Sequence, residues 1–453
     1  MKLIDYAGIL SIVLLCSCGK ESIEQEPANV FPDPSNSDNI EIFNERIYSP
    51  AEFCDFIGNS CSDYINVYLT EDANAVFKLV AAQAVEKNRG AVDRQVAKEN
   101  RTIELLARTM WSVKKIDYSY WTASTQGKPI QLSAALVVPV LNNSRVSHTL
   151  SAISLCPPHG ANSAEACPTK LGTILMARVA FNHAVVVPDY EGRGITPQLG
   201  YAPIENRIQA RQAIDAELAA LTILKEEGYT WGEGFGTYNV GISGGCGVSY
   251  YSQYMIENVI PQEQRDRINL ISTFAADGLI YLGTHLDTMF STDMSNEGML
   301  QGVMSQFCPV IANLPESEKC GYKPEDLLST AILDDNNKVN VNHPLIQILR
   351  KELIKNDINF NWEPKHPITF EGSYNDTSIT PEYQIIGAYN LLRNRQDGMP
   401  NRNVKLHMFE TPVTSMIANE IIGGDYAPLF PHLMADFISF VRGIENLDPS
   451  IVD

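Results

Sequence analysis

Positive charge is scarce in this sequence. Its 453 residues hold 34 Lys and Arg against 54 Asp and Glu, a formal net charge of −20. A surface of that sign repels phosphate backbones, which argues against nucleic acid as a partner. No CxxC pair and no His/Cys cluster occurs, so no zinc site is expected. Solenoid repeats are absent, and so are propeller blades, which counts against a propeller peptidase. The N-terminal apolar run, residues 7–15, is far shorter than the ~20 residues a membrane span needs. Histidine is rare, with eight in the whole chain. What remains is ordinary globular material: 44% hydrophobic and 19% charged residues. That suffices for one large domain with attachments, or for two domains.

The N-terminus reads MKLIDYAGILSIVLLCSCGK. Lys2 supplies a basic n-region and residues 7–15 a short h-region, the pattern of an export signal. Leu15-Cys16-Ser17-Cys18 resembles a bacterial lipobox. It implies cleavage before Cys18, acylation of that thiol and a lipid anchor to a bacterial membrane, on the periplasmic face or the cell surface. Residues 1–18 are therefore expected to be a lipoprotein signal. Residues 19–45, rich in Pro, Asn, Ser and acid, are expected to be a flexible tether. Seven further cysteines follow. Six are close neighbours, 54/61, 156/167 and 308/320, which suggests disulfides in an oxidising compartment. Cys246 is left over.

Residues 46–114 repeat apolar positions at three and four, predicting a helical segment. The rhythm then changes. KIDYSYWTAS, a QGKP turn and IQLSAALVVPV predict two strands. SAISLCP, AVVVPDY, NVGIS, NLISTFAAD, PITFEGS and NVKLHMFE are further apolar strands. Helical stretches alternate with them: TKLGTILMARVAFN, AIDAELAALTILKEEG, VSYYSQYMIENV and, at the end, MADFISFVRGI. Alternation of this kind predicts an α/β domain over 115–445, its mostly parallel sheet covered on both faces. Residues 286–365 break the rhythm and are expected to form a helical cap. Its apolar residues Met289, Phe290, Met299, Leu300, Met304 and Phe307 have the spacing of packing rather than of a lipid groove.

Within VGISGGCG, Ser243 follows a strand, precedes a helix and has Gly241 and Gly245 two residues to either side. That is the G-x-S-x-G pattern of a nucleophile held on a sharp turn. The following helix would direct its dipole and the Gly244 N–H at an oxyanion. Gly160 and Ala161, just after another strand, are placed to supply a second N–H; His159 beside them is expected to be structural. Cys246 is expected to be a buried small residue. In strand–elbow–helix enzymes the triad order is Ser, acid, His. Asp376, in the loop after PITFEGS, is the candidate acid. The loop after the last strand, TPVTSMIANEIIGGDYAP, has no histidine, and Asp425 and Tyr426 stand there instead. Two histidines follow Asp376. His407 lies inside the last strand, and His432 follows Pro431 at the start of the final helix. An N-terminal dipole would keep His432 neutral and able to accept a proton, so His432 is the preferred base.

PPHGA, VVVPDYEGRG, the helix AIDAELAALTIL, GISGG and GSYNDTSITP together resemble the α/β-hydrolases, and among them the secretory-lipase-like esterases. The resemblance covers about 115–445. It implies an α/β-hydrolase fold and cleavage of small-molecule or lipid esters through an acyl-enzyme, with no cofactor. By resemblance Ser243 attacks, Asp376 orients the base, and Gly244 with Gly160 and Ala161 binds the oxyanion. Relatives carry a histidine loop before the last helix, where this chain reads GGDYAP. A second hypothesis follows from that departure: a non-catalytic hydrolase-fold lipoprotein that binds a ligand or partner.

Overall fold

The computed structural model describes residues 32–49, 52, 112–140, 151–157, 183–199, 205–229, 236–286, 294–295, 300, 304–358, 362–376, 379–394 and 399–410. The described strands form one nine-stranded sheet. Its first strand, Glu41–Tyr48 (β1), corrects the expectation of a tether to 45 and a helix from 46. The stretch EIFNERIY is rich in β-formers. It pairs antiparallel with Val113–Ala123 (β2), and Glu45 meets Lys114 at 3.2 Å. At the other end of the expected helical segment Val113 and Lys114 belong to β2, and residues 53–111, with Cys54 and Cys61, lie outside the described residues, as does Cys18.

β2 turns into Pro129–Pro139 (β3) through a tight loop in which Gly127 takes φ 68°, a value L side chains rarely adopt. Ser151–Cys156 (β4) and His183–Pro188 (β5) follow. Then come Asn206–Glu226 (α1), Thr237–Ile242 (β6), Gly244–Asn258 (α2), Gln262–Ile268 (α3) and Leu270–Ala276 (β7). The sheet order is β1-β2-β3-β5-β4-β6-β7, continued by Ile368–Ser373 (β8) and Val404–Phe409 (β9). From β5 to β9 every neighbouring pair is parallel, whereas β1, β2 and β3 are antiparallel to their neighbours. The parallel strands read as near-continuous buried runs because helices cover them. The predicted helices at 169–182 and after 432 lie outside the described residues.

Helices α1 and α2 pack with β2 to β5 in one apolar cluster that includes Tyr118, Leu136, Val186, Leu218 and Val248. A second cluster joins α2 to β7, β8, β9 and to Ile385–Arg393 (α7), which is numbered after the insertion helices. The chain between β7 and β8 carries Cys308–Ala312 (α4), Glu316–Lys319 (α5) and Pro344–Ile354 (α6). It has its own core, in which Leu300, Met304 and Phe307 are buried with Ile346, Leu349 and Leu353. These three cap residues are packing groups; Met289, Phe290 and Met299 lie outside the described residues. Asp357 ties the insertion back by accepting the N–H groups of Gly283 at 2.9 Å and Thr284 at 2.7 Å. Gln384 does the same for Ile280 and Tyr281.

Two of the expected disulfides are not formed. Cys156, Cys308 and Cys320 are free thiols. Cys308 Sγ lies 3.2 Å from the Pro324 carbonyl, and exposed Cys320 sits in a left-handed turn at φ 53° with its Sγ toward the Glu318 carbonyl. Cys156 ends β4 inside the core, where burial pushes its thiol up to about 12. Its Sγ faces Asn239, and Cys167 lies outside the described residues. Closeness in sequence does not by itself supply the geometry a disulfide needs. No described helix is long and apolar enough to cross a membrane.

Candidate functional site

The strand order fixes where chemistry can sit. The chain leaves β4 for β5 on one side and returns to β6 on the other. Such a reversal opens a crevice at the carboxyl ends of the strands between β4 and β6. Ser243 is the first residue after β6, so it stands at that point.

Its backbone is strained. Ser243 has φ 55° and ψ −122°, the geometry of the first central position of a type II′ turn, which glycine dominates. A non-glycine residue held there costs on the order of 1–3 kcal/mol. Three glycines allow the turn. A Cβ at Gly241 would collide with the Gly245 carbonyl and the Ser249 side chain. One at Gly245 would collide with the Cys156 carbonyl, and one at Gly278 with the Ser243 carbonyl. The two glycines expected to flank the nucleophile are therefore required by close packing, and Gly278 is a third that spacing did not reveal. Ser243 N–H donates to the Ala276 carbonyl at 3.0 Å, which anchors the elbow to β7. The side chain makes no capping bond to α2, although Ser243 is its N-cap. Ser243 is buried, with 9% exposure. Gly244 opens α2, so its N–H belongs to the first helical turn.

Gly245 also lies near the Pro157 carbonyl, which puts the start of the 157–161 loop against the elbow. Gly160, Ala161 and His159 themselves lie outside the described residues. Cys246 is fully buried beneath the elbow, as expected of a packing residue.

Asp376 follows β8 by three residues and is buried. Its N–H donates to the Ser373 carbonyl at 3.3 Å, and its Oδ1 accepts the Ile379 N–H at 3.0 Å. β6 and β8 flank β7, so the elbow and the loop that carries Asp376 both leave the carboxyl end of the sheet, from strands two inter-strand steps of about 4.8 Å apart.

His407 lies one strand farther out, on β9. Ile242, Ala276, Glu371 and His407 are cross-strand partners in one row. Three steps of about 4.8 Å put His407 about 14 Å from the elbow. Its Nδ1 lies 2.6 Å from Oε2 of Glu371, a fully buried carboxylate. The other described histidines are engaged elsewhere. His183 opens β5 at the opposite end of the sheet. His343 caps α6. His366 pairs with Glu257 at 3.0 Å, and His285 stacks on Tyr383. His432, Asp425 and Tyr426 lie outside the described residues. Among the described residues, no group of three His, Cys, Asp or Glu side chains could hold a metal ion.

One residue of the site was missed in the sequence. Asp277, the first residue after β7, is 3% exposed and has φ 41°. Its Oδ1 accepts the Ser373 N–H at 2.9 Å. The dipeptide Asp-Gly directly after a strand was the available signal.

No protein-family model matches the chain, and no curated protein does. Among solved structures, it is similar to the rice cell wall degrading esterase LipA from Xanthomonas oryzae, in its ligand-bound form. The TM-score is 0.54 at 17% identity, over 78% of this chain and 95% of that one. A protein from Legionella pneumophila, named only as a candidate hydrolase, gives 0.50 at 13% identity, over 90% of this chain and 99% of that one. With the sheet order and the elbow, these similarities establish an α/β-hydrolase fold.

Proposed function

We propose that this α/β-hydrolase-fold chain is an exported serine hydrolase that cleaves carboxylic esters through an acyl-enzyme on Ser243. The observation that carries the proposal is the strained Ser243 backbone at the switch point of the sheet. A turn with only a structural role would relax by placing glycine there. Strain at an otherwise well-packed position fits a side chain that must be presented to a substrate.

In this account Ser243 Oγ attacks the ester carbonyl and gives its proton to His432, held by Asp376. The imidazolium protonates the leaving alcohol, and water then releases the acid by the same route. Gly244 and the 160–161 loop stabilise the oxyanion. His432 is assigned by elimination. Five of the eight histidines are engaged elsewhere, and His148 precedes Ser243 in the chain, against the Ser, acid, His order. His159 sits in the proposed oxyanion loop, and His407 pairs with Glu371, which leaves His432 as the other histidine that follows Asp376. The esterase activity in the name of the Xanthomonas neighbour fits this chemistry. Cys18 would carry the lipid anchor.

The test is hydrolysis of p-nitrophenyl acetate and butyrate by the form lacking residues 1–18, beside Ser243→Ala and His432→Ala. The expected result is turnover by the parent and a loss of about 10³-fold or more in each variant. Turnover that survives Ser243→Ala would end the proposal. An unreactive parent that still binds a ligand would favour the non-catalytic alternative, which the GGDYAP loop suggests.

A further inference from the structure

We infer that Asp277 is a positioning residue that locks the acid loop to the nucleophile elbow; this rests on the triad proposed above. In a regular parallel ladder, the residue after Ala276 would bond twice to β8. Its N–H would donate to the Glu371 carbonyl, and its carbonyl would accept the Ser373 N–H. The first bond is present, Asp277 N–H to Glu371 O at 2.9 Å. The second is made by the side chain instead, with Oδ1 accepting the Ser373 N–H at 2.9 Å.

The substitution has a cause. At φ 41° the main chain turns out of the sheet at Asp277. The turn lays Gly278 against the Ser243 carbonyl and the Cys246 side chain, closer than any Cβ permits. The carboxylate thus replaces a rung that the turn removes. Ser373 is where the acid loop begins. Its carbonyl accepts Asp376 N–H, its Oγ donates to Asn375 Oδ1 at 2.7 Å, and the next N–H, of Tyr374, donates to Phe409 O. One side chain therefore joins the segment that buttresses Ser243 to the loop that carries Asp376.

The role asks for an acceptor oxygen and not for a negative charge. Asparagine offers the same oxygen, so Asp277→Asn should hold the loop, whereas Asp277→Ala should release it. Both variants, the parent and Asp376→Asn would be compared in the form lacking residues 1–18. Two readouts are needed: kcat and KM on p-nitrophenyl butyrate, and amide hydrogen exchange over residues 373–376. In Asp277→Ala, exchange should accelerate about tenfold or more, and kcat should fall by a similar factor with KM little changed. Asp277→Asn should restore both to within about threefold, while Asp376→Asn should lose kcat without loosening the segment. Parental exchange in Asp277→Ala would overturn the inference. So would an Asp277→Asn as inactive as Asp376→Asn, because Asp277 would then be the charged partner of the base. The exchange measurement decides the inference even if the parent hydrolyses no ester, an outcome that would count against the proposed function alone.

Discussion

Replacing Ser243 by alanine and by glycine separates the strain of the elbow from its chemistry. Both variants remove the hydroxyl, so both should be inactive. They differ in backbone freedom. Alanine keeps the strain that the φ 55°, ψ −122° backbone imposes, on the order of 1–3 kcal/mol. Glycine relieves it, but gains about 0.4–1 kcal/mol of unfolded-state entropy that opposes folding. At the midpoints of those ranges Ser243→Gly is more stable than Ser243→Ala by about 1.3 kcal/mol. The unit spans Pro32–Asp453. At about 2.1 cal/mol/K of unfolding entropy per residue, the difference corresponds to about 1–2 °C in Tm. Differential scanning calorimetry resolves such a gap, and denaturant midpoints provide a second measure. If Ser243→Gly melts at or below Ser243→Ala, the elbow stores no strain and the argument from strain to function fails.

Other expectations follow from the same geometry. Gly245→Ala drives a Cβ into the Cys156 carbonyl. It should cost about 2 kcal/mol or more and abolish turnover, seen as a lowered Tm and lost ester hydrolysis. His407→Ala should leave kcat within about threefold, because His407 lies about 14 Å from the elbow, but should lower Tm through loss of the bond to buried Glu371; a collapse of kcat at unchanged Tm would reinstate His407 as the base. Burial raises the carboxyls of Glu217 and Asp189 to about 7. Each is protonated in the fold where the unfolded chain has already ionised, so the folded state holds the extra proton. Their contribution is full below the unfolded values of 4.5 and 3.8 and is lost as pH rises to about 7. Stability should therefore fall across that window by up to about 3–4 kcal/mol per group, and Glu217→Gln should flatten the fall in a Tm-against-pH series.

The parallel half of the sheet was legible because buried strands declare themselves as short apolar runs between helical repeats. NVGIS running into VSYYSQYMIENV shows the elbow in its required setting, and the structure adds the dihedral angles. Pairing across the first edge was not legible. EIFNERIY divides its β-formers between both faces, so no apolar face marks the strand before its pairing with β2 is seen. The disulfide expectation failed at 156 and 308/320 because closeness in sequence carries no information on side-chain direction. Asp277 was invisible for a related reason: an Asp-Gly after a strand reads as any turn until the rung it replaces is counted. His407 was excluded by register, which only strand pairing supplies. Asp376 could be chosen from sequence because its loop follows a clear strand.

The most direct test of the central claim is the mass of the covalent adduct after a fluorophosphonate probe reacts with the form lacking residues 1–18. The account predicts one equivalent of probe, on the peptide that contains Ser243, and none in Ser243→Ala. An unlabelled parent, or a label on any other residue, would contradict it.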